Sequence, residues 1–365
     1  MGIVFYICKV ITVLIKVIIS FLVFPLCKPF SNKNKKVVVI GTRNGNQGND
    51  NGEVFYSYLN DNNDNDDLLV YLIRRSKNEE KYKNILIKNS IRANIKILSA
   101  DILYITHSES DLIDFWWRFV TYKKIVFIQH GVIGIKRLPE YEKKKFSLFV
   151  SSNNYEYEIL IKYYNICSER IVKSGIPRFD NYTILNEAPQ KIKKCLVMFT
   201  WRKFYKDEQS IRLKRVISTI IRNEPSIKIY VASHELSDYS LSEFEFYNIN
   251  YVESIDIQNA IKECDLLITD YSSIAWDFLY QNKLICFIQT DYLEYVFNEG
   301  VYFHCDDFFG YIIRDLSDIN DAFISEILRV NKLNNQEFLK RYPFYINYKK
   351  KHSELLFLET MEYNR

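Results

Sequence analysis

Short apolar runs, each about a strand long and each stopped by glycine or polar residues, recur through most of this chain. "KKVVVIG" (35–41), "LLVYLI" (68–73), "DILYIT" (101–106), "KIVFIQ" (124–129) and "FSLFVSS" (146–152) form a first set. "CLVMFT" (195–200), "IKIYVAS" (227–233), "DLLIT" (265–269) and "LICFI" (284–288) form a second. Runs that are apolar throughout, rather than alternating, suit strands buried on both faces. Helix-length segments separate several of them, with helices predicted from about Glu53, over Asp207–Arg222 and over Ser272–Tyr280. Buried strands alternating with helices predict parallel sheets covered on both sides. The pattern restarts after "NEAPQKIKK" (186–194), so the expected fold is α/β with two doubly wound, Rossmann-like halves facing a cleft.

The expected organisation is an N-terminal helix in 1–30, a first half in 31–187, a second in 188–335 and a helical segment in 336–365. That last segment is interrupted at Pro343 and is expected to pack back on the first half. With 365 residues, 48% of them hydrophobic and 26% charged, the chain can build a sizeable core, which excludes global disorder. A net charge of only +4, with no RNA-binding aromatic signature and no zinc-finger spacing, argues against a nucleic-acid partner. The seven cysteines form no CxxC pair, which fits a reducing compartment. Cys195, Cys264 and Cys286 lie in or beside apolar runs and are read as core residues. The DxD pattern inside "NDNNDNDD" (60–67) belongs to a turn-forming Asn/Asp stretch and is read as solvated loop, not as a metal site.

The N-terminal "MGIVFYICKVITVLIKVIISFLVFPLCKPF" is apolar but interrupted by Lys9 and Lys16, which share a narrow helical stripe with Thr12 and Ser20. A span would bury Lys16 near the bilayer centre, costing roughly 2.5–3.5 kcal/mol. A helix lying in the interface avoids that cost and brings the lysines to lipid phosphates. The interfacial anchor is therefore the expectation, with a transmembrane span and a buried core helix as the alternatives.

Chemistry is expected where strands give way to loops, since ligands of doubly wound sheets bind beyond the carboxyl ends of the strands. In "CDLLITDYSSIAWD", the strand ends at Thr269-Asp270-Tyr271-Ser272-Ser273 and a helix follows. Hydroxyls at a helix start can hold phosphate, or simply cap the helix. Asp277 lies one turn beyond Ser273, either to take polyol or ribose hydroxyls or to sit in solvent. In "IQHGVIGIKRL" (128–138), His130-Gly131 occupies the same kind of exit in the first half, with Lys136 near enough in sequence to meet an anion. Arg178 in "KSGIPRFDNY" and Arg202 in "MFTWRKF" are placed to reach the cleft for phosphate, with an ordinary salt bridge as the alternative. His234 in "VASHELSD" is a second histidine at a strand exit, in the other half. His107, His304 and His352 have no comparable setting and are read as structural.

Taken in order, these segments resemble the CDP-glycerol:glycerophosphate glycerophosphotransferases, the teichoic-acid primases and polymerases and their capsule-locus relatives. The resemblance rests on His130-Gly131, on Gly175-Ile176-Pro177-Arg178-Phe179-Asp180, and on Thr200-Trp201-Arg202. It rests further on His234, on Thr269 to Ser273 with Asp277 downstream, on Asp50-Asn51 and on "GVYFH" (300–304). It spans residues 36 to about 310. Gln129 and Val132-Ile133 stand where the family usually has Trp and Thr-Pro, and Ala232 where it has a basic residue, which leaves acceptor and donor polyol open.

The resemblance implies a GT-B-like fold with an acceptor half followed by a donor half. It also implies transfer of a polyol phosphate, glycerol phosphate first among them, from a CDP-polyol to a hydroxyl of a lipid-linked saccharide or polyol-phosphate acceptor, releasing CMP. His130 would be the base, with Gly131 and Lys136 beside it. His234, Ser272, Ser273, Thr269 and Asp270 would hold the donor with Thr200, Arg178 and Arg202, and Asp277 would bind donor hydroxyls. No cofactor or metal is called for. The expected location is the cytoplasmic face of the cell membrane, on its anionic surface. A nucleotide-sugar glycosyltransferase of the same architecture is the competing enzyme, and a catalytically dead assembly factor for polysaccharide export the competing non-enzyme.

Overall fold

The structure, a computed structural model, describes residues 2–27, 35–46, 48–63, 67–76, 81–200, 206–232, 249–253, 256–303 and 308–363. Helix α1 (Gly2–Cys27) leads into β1 (Lys36–Gly41), α2 (Asn51–Asp61), β2 (Leu68–Arg74), β3 (Ile85–Ile87), α3 (Ile91–Ser99) and β4 (Ile102–Ile105). Next come β5 (Ile125–Phe127), α4 (Pro139–Glu142), β6 (Leu148–Val150), α5 (Asn154–Lys162) and β7 (Ile171–Val172). Their strands form one sheet in the order β3-β2-β1-β4-β5-β6-β7, with all neighbours parallel.

The second unit runs β8 (Lys194–Val197), α6 (Lys206–Asn223), β9 (Lys228–Ala232), β10 (Ile249–Val252), α7 (Ile257–Glu263), β11 (Leu266–Thr269) and α8 (Ala275–Tyr280). It continues with β12 (Leu284–Ile288), α9 (Tyr292–Asn298), β13 (Tyr311–Ile313) and α10 (Phe323–Arg341). Its sheet, also parallel throughout, has the order β10-β9-β8-β11-β12-β13. Two parallel α/β sheets are what the apolar runs predict. Ile40, Leu72, Leu103, Val126 and Phe149 in the first sheet, and Leu196, Ile268 and Phe287 in the second, are fully buried, as strands covered on both faces require.

The last helix of the second unit, α10, packs on β12 and β13 and continues past residue 335 to Arg341. The chain then crosses through Pro343 to α11 (His352–Glu362), which packs on α2 and β7 of the first unit. Asp180 fixes the start of α11 by accepting the His352 and Ser353 backbone N–H groups at 2.6 and 3.0 Å. His352 is structural: its ring nitrogens meet Ser174 O at 2.7 Å and the Tyr280 hydroxyl at 2.8 Å.

Helix α1 is apolar and long enough to cross a membrane by length and composition. It lies along α3, with Val13 and Val17 packed on Ile113, Phe115 and Trp116. Of the polar stripe, Ser20 is fully buried and half-exposed Lys9 sits 4.0 Å from Asp114, while Thr12 is exposed. The exposed face carries Phe5, Ile11, Ile15, Ile18 and Leu22.

Candidate active site between the two sheets

Each sheet reverses its strand order once, between β1 and β4 in the first and between β8 and β11 in the second. Loops leaving adjacent strands diverge at such a point and open a crevice. Here the two crevices merge into one cavity of about 600 Å³. The first unit lines it with Arg43, Asp50, His107, His130 and Arg178, and the second with Met198, Gln258, Ser272, Ser273 and Asp277. A smaller chamber of about 250 Å³ adjoins it, sharing His107, His130, Tyr141 and Ser273 and adding Lys136.

His130 follows β5 and is aimed by its neighbours. Gln129 takes a left-handed backbone (φ 61°), a strained state for a non-glycine residue, and its carbonyl accepts Asn51 Nδ2–H at 2.8 Å. Asn51 Oδ1 in turn accepts the Arg178 backbone N–H at 3.0 Å, tying three loops together. Behind the ring, His130 Nδ1 is hydrogen-bonded to Asp50 Oδ2. Asp50 cannot swing away, because it caps α2, accepting Asn51 N–H on Oδ1 at 2.8 Å while Glu53 accepts the Asp50 N–H at 3.2 Å. Burial alone would raise the Asp50 carboxyl, but the charge and hydrogen bond of His130, with Arg178, hold it well below the usual carboxylate range. An ionised Asp50 fixes the proton on His130 Nδ1 and leaves Nε2 as the basic nitrogen.

Arg178 is the link between the halves. Its Nε and Nη2 donate to the two oxygens of Asp277, each at 2.7 Å, and Nη1 donates to Asp50 Oδ1 at 3.0 Å and to the His130 carbonyl. Only 4% of the residue is exposed, and Asp277 is fully buried with the Tyr182 hydroxyl 2.8 Å from its Oδ1. Burial would lower Arg178, but the charges of Asp277 and Asp50 raise it above even the ordinary guanidinium value. Two sequence expectations, Arg178 on phosphate and Asp277 on donor hydroxyls, meet a different arrangement here, although both residues line the cavity. The two side chains are each other's counter-ion. Helical spacing placed Asp277 on the side of Ser273 without revealing an arginine 99 residues earlier in the chain.

Gly131 packs closely on the second unit: a methyl there would stand 2.7 Å from Ser273 Oγ. Ser272 and Ser273 line the cavity, but the helix after them is only Ala275–Tyr280, shorter than the predicted Ser272–Tyr280. Six residues supply little dipole. Thr269 and Asp270 turn inward: Thr269 Oγ1 donates to Met198 O at 2.6 Å, and Asp270 Oδ1 accepts the Thr200 and Tyr271 N–H groups at 2.8 and 2.6 Å. They brace the β8 and β11 exits, and Thr200 is held there through its backbone. Lys136 lines the smaller chamber, bridged to Val301 through the backbone. His234, Arg202 and His304 lie outside the described residues.

Three first-unit residues of the site escaped sequence reasoning in their roles. Asp50 was visible only as part of an Asp-Asn turn, and its partner lies 80 residues on. His107 leaves β4 just as His130 leaves β5, so the same strand-exit rule could have found it; its ring stacks on His130 with centroids 4.5 Å apart. Arg43, at the β1 exit, stood in a Gly/Asn-rich stretch whose fold gave no local signal.

The model of the family described as CDP-Glycerol:Poly(glycerophosphate) glycerophosphotransferase matches residues 21–354. The minor teichoic acid biosynthesis protein GgaB of Bacillus subtilis (strain 168) is 24% identical over 368 aligned residues, covering 89% of this chain and 39% of GgaB. The teichoic acid poly(ribitol-phosphate) polymerase of Bacillus spizizenii is 22% identical over 320 residues, covering 79% of this chain and 50% of that protein. This chain thus spans half or less of the length of either relative. Among solved structures, the wall teichoic acid polymerase TagF superposes with a TM-score of 0.68 at 17% identity, over 95% of this chain and 97% of that one. That likeness establishes the GT-B-like fold.

Proposed function

This chain belongs to the CDP-glycerol:poly(glycerophosphate) glycerophosphotransferase family, and from that premise we propose that it moves a polyol phosphate, glycerol phosphate first among them, from a CDP-polyol to an acceptor hydroxyl. The observation that carries the reading is the buried Asp50 behind His130, at a cavity that joins the switch points of both sheets. The acceptor O–H gives its proton to His130 Nε2 as its oxygen bonds the donor's β-phosphorus. The bond from that phosphorus to the bridging oxygen breaks, and CMP departs with the electron pair. Such transfers depend on positioning and charge stabilisation more than on covalent catalysis. Ser272 and Ser273 supply neutral donors to the diphosphate from the second unit, and His234 is assigned to the same wall on the strength of the family motif.

The acceptor is a lipid-linked saccharide or polyol phosphate, and α1 brings the first unit to it. The exposed face of α1 lies in the acyl boundary of an anionic cytoplasmic leaflet while its other face stays docked on α3. The test is a panel of CDP-polyols and nucleotide sugars offered with lipid-linked acceptors, with release of nucleotide as the readout. CMP from a CDP-polyol, dependent on acceptor, is expected. Consumption of UDP- or GDP-sugars with CDP-polyols ignored would replace this reading with a glycosyltransferase.

A further inference from the structure

The switch point of the first sheet carries an arginine and a histidine that the reaction above leaves without a task. Arg43 leaves the end of β1 and His107 the end of β4, adjacent parallel strands, and both side chains line the large cavity. Because His107 stacks on His130, a group bound at His107 lies beside the reacting hydroxyl. Both loops are built around buried Asp111, whose carboxylate accepts the backbone N–H groups of Asn44 at 2.7 Å, Thr106 at 3.0 Å and His107 at 2.7 Å. Arg43 and Asn44 are held at φ 47° and 56°, a left-handed pair of non-glycine residues of the kind that persists where surroundings impose it and that clusters at ligand sites. The Arg43 side chain crosses Gly48, where a methyl group would stand 2.8 Å from its Nε. That Nε is buried and makes no hydrogen bond among the described residues. Burial favours the neutral His107 ring, but Asp111, 3.8 Å from its Nδ1, together with the charge of Asp50, raises it above the usual histidine value even against the opposing charge of Arg43. A guanidinium lining the cavity beside an imidazole ring suits a phosphate oxyanion.

We propose that Arg43 and His107 form an anion subsite that takes a phosphate of the acceptor, one phosphodiester away from the attacking hydroxyl. The inference rests on the glycerophosphotransferase reading, in which the donor's diphosphate occupies the opposite wall at Ser272 and Ser273. The subsite then selects acceptor ends that already carry phosphate over neutral saccharide ends.

Glycerol 3-phosphate added to the full-length protein with isotopically labelled histidine is the direct probe, with His107 identified by its loss in His107→Gln. A saturable shift of the His107 resonance is expected, weakened roughly 10–100-fold in Arg43→Gln, as for a lost hydrogen bond to a charged group. Saturating CMP should leave it in place. Absence of a saturable shift, or its displacement by CMP, overturns the proposal, the second outcome assigning the anion to the donor. Binding decides the matter even if no CDP-polyol is turned over, so failure of the activity reading is seen separately. With turnover, Arg43→Gln should raise KM for a glycerophosphate-ended acceptor while KM for a neutral acceptor and for CDP-glycerol holds. An equal rise for both acceptors overturns the subsite.

Discussion

Replacing Arg178 with methionine keeps most of the volume of the side chain and deletes its charge. Three donor contacts to carboxylates vanish at once, two at 2.7 Å to Asp277 and one at 3.0 Å to Asp50. Both carboxylates are buried, so neither can turn to water for compensation. Removing one partner of a buried ion pair costs about 3–5 kcal/mol, because the other charge is left uncompensated. Against a total stability of roughly 5–15 kcal/mol for a folded domain, that is a large share but not always the whole. The Arg178→Met protein is therefore expected to fold with a denaturation midpoint shifted by several kcal/mol. Its turnover should fall as well, since Arg178 also donates to the His130 carbonyl and its loss loosens the loop that carries that ring. Adding Asp277→Asn should return part of the lost stability, with a coupling of about 0.5–3 kcal/mol between the two sites. Urea denaturation of the single and double variants, beside CMP release, measures all of this. A single variant within 1 kcal/mol of the parent with normal turnover (against the ~3–5 kcal/mol expected) would refute the idea that the two units are joined through this pair.

Three further outcomes are expected. Asp50→Asn should lower turnover roughly 10²–10⁴-fold by releasing the His130 ring. Because the folded-state Asp50 carboxyl is depressed, its contribution to stability is full above about pH 4 and lost as pH falls below that. The midpoint of Asp50→Asn should accordingly change less between neutral and strongly acid pH than that of the parent. Ser272→Ala with Ser273→Ala should weaken CDP-glycerol binding by about 1.5–3 kcal/mol per lost hydrogen bond in a protein of unchanged fold; unchanged affinity by calorimetry leaves these serines without a donor role. On α1, changing half-exposed Ile11, Ile15 and Ile18 to Ser leaves the Val13–Val17 docking face untouched. At roughly 1 kcal/mol per half-buried side chain, partition onto anionic vesicles should drop about 100-fold, and an unchanged sedimentation profile counts against the surface-lying helix.

What could be read from the sequence follows from where the chemistry is local. Every strand interior to the two sheets coincides with an apolar run long enough to see. The four strands that were not anticipated, β3, β7, β10 and β13, are the four sheet edges. Edge strands are short and need cover on fewer sides, so Ile85–Ile87 or Ile171–Val172 leaves almost no signal. The site divides in the same way. His130 and Ser272-Ser273 were legible because strand exits announce themselves. The Asp50–Arg178–Asp277 chain joins residues 128 positions apart on one side and 99 on the other, and only folding brings them together. For Asp277, helical periodicity gave the direction toward the cavity but not its arginine partner.

The most direct measurement is made on His130→Ala. CDP-glycerol binding and single-turnover CMP release, both at saturating donor, separate the base from the groups that hold the donor. If His130 takes the acceptor proton, the variant binds CDP-glycerol as the parent does while turnover drops roughly 10²–10⁴-fold. A variant that loses donor binding yet keeps parental turnover at saturation contradicts the account, because His130 would then hold the donor and the base would lie elsewhere.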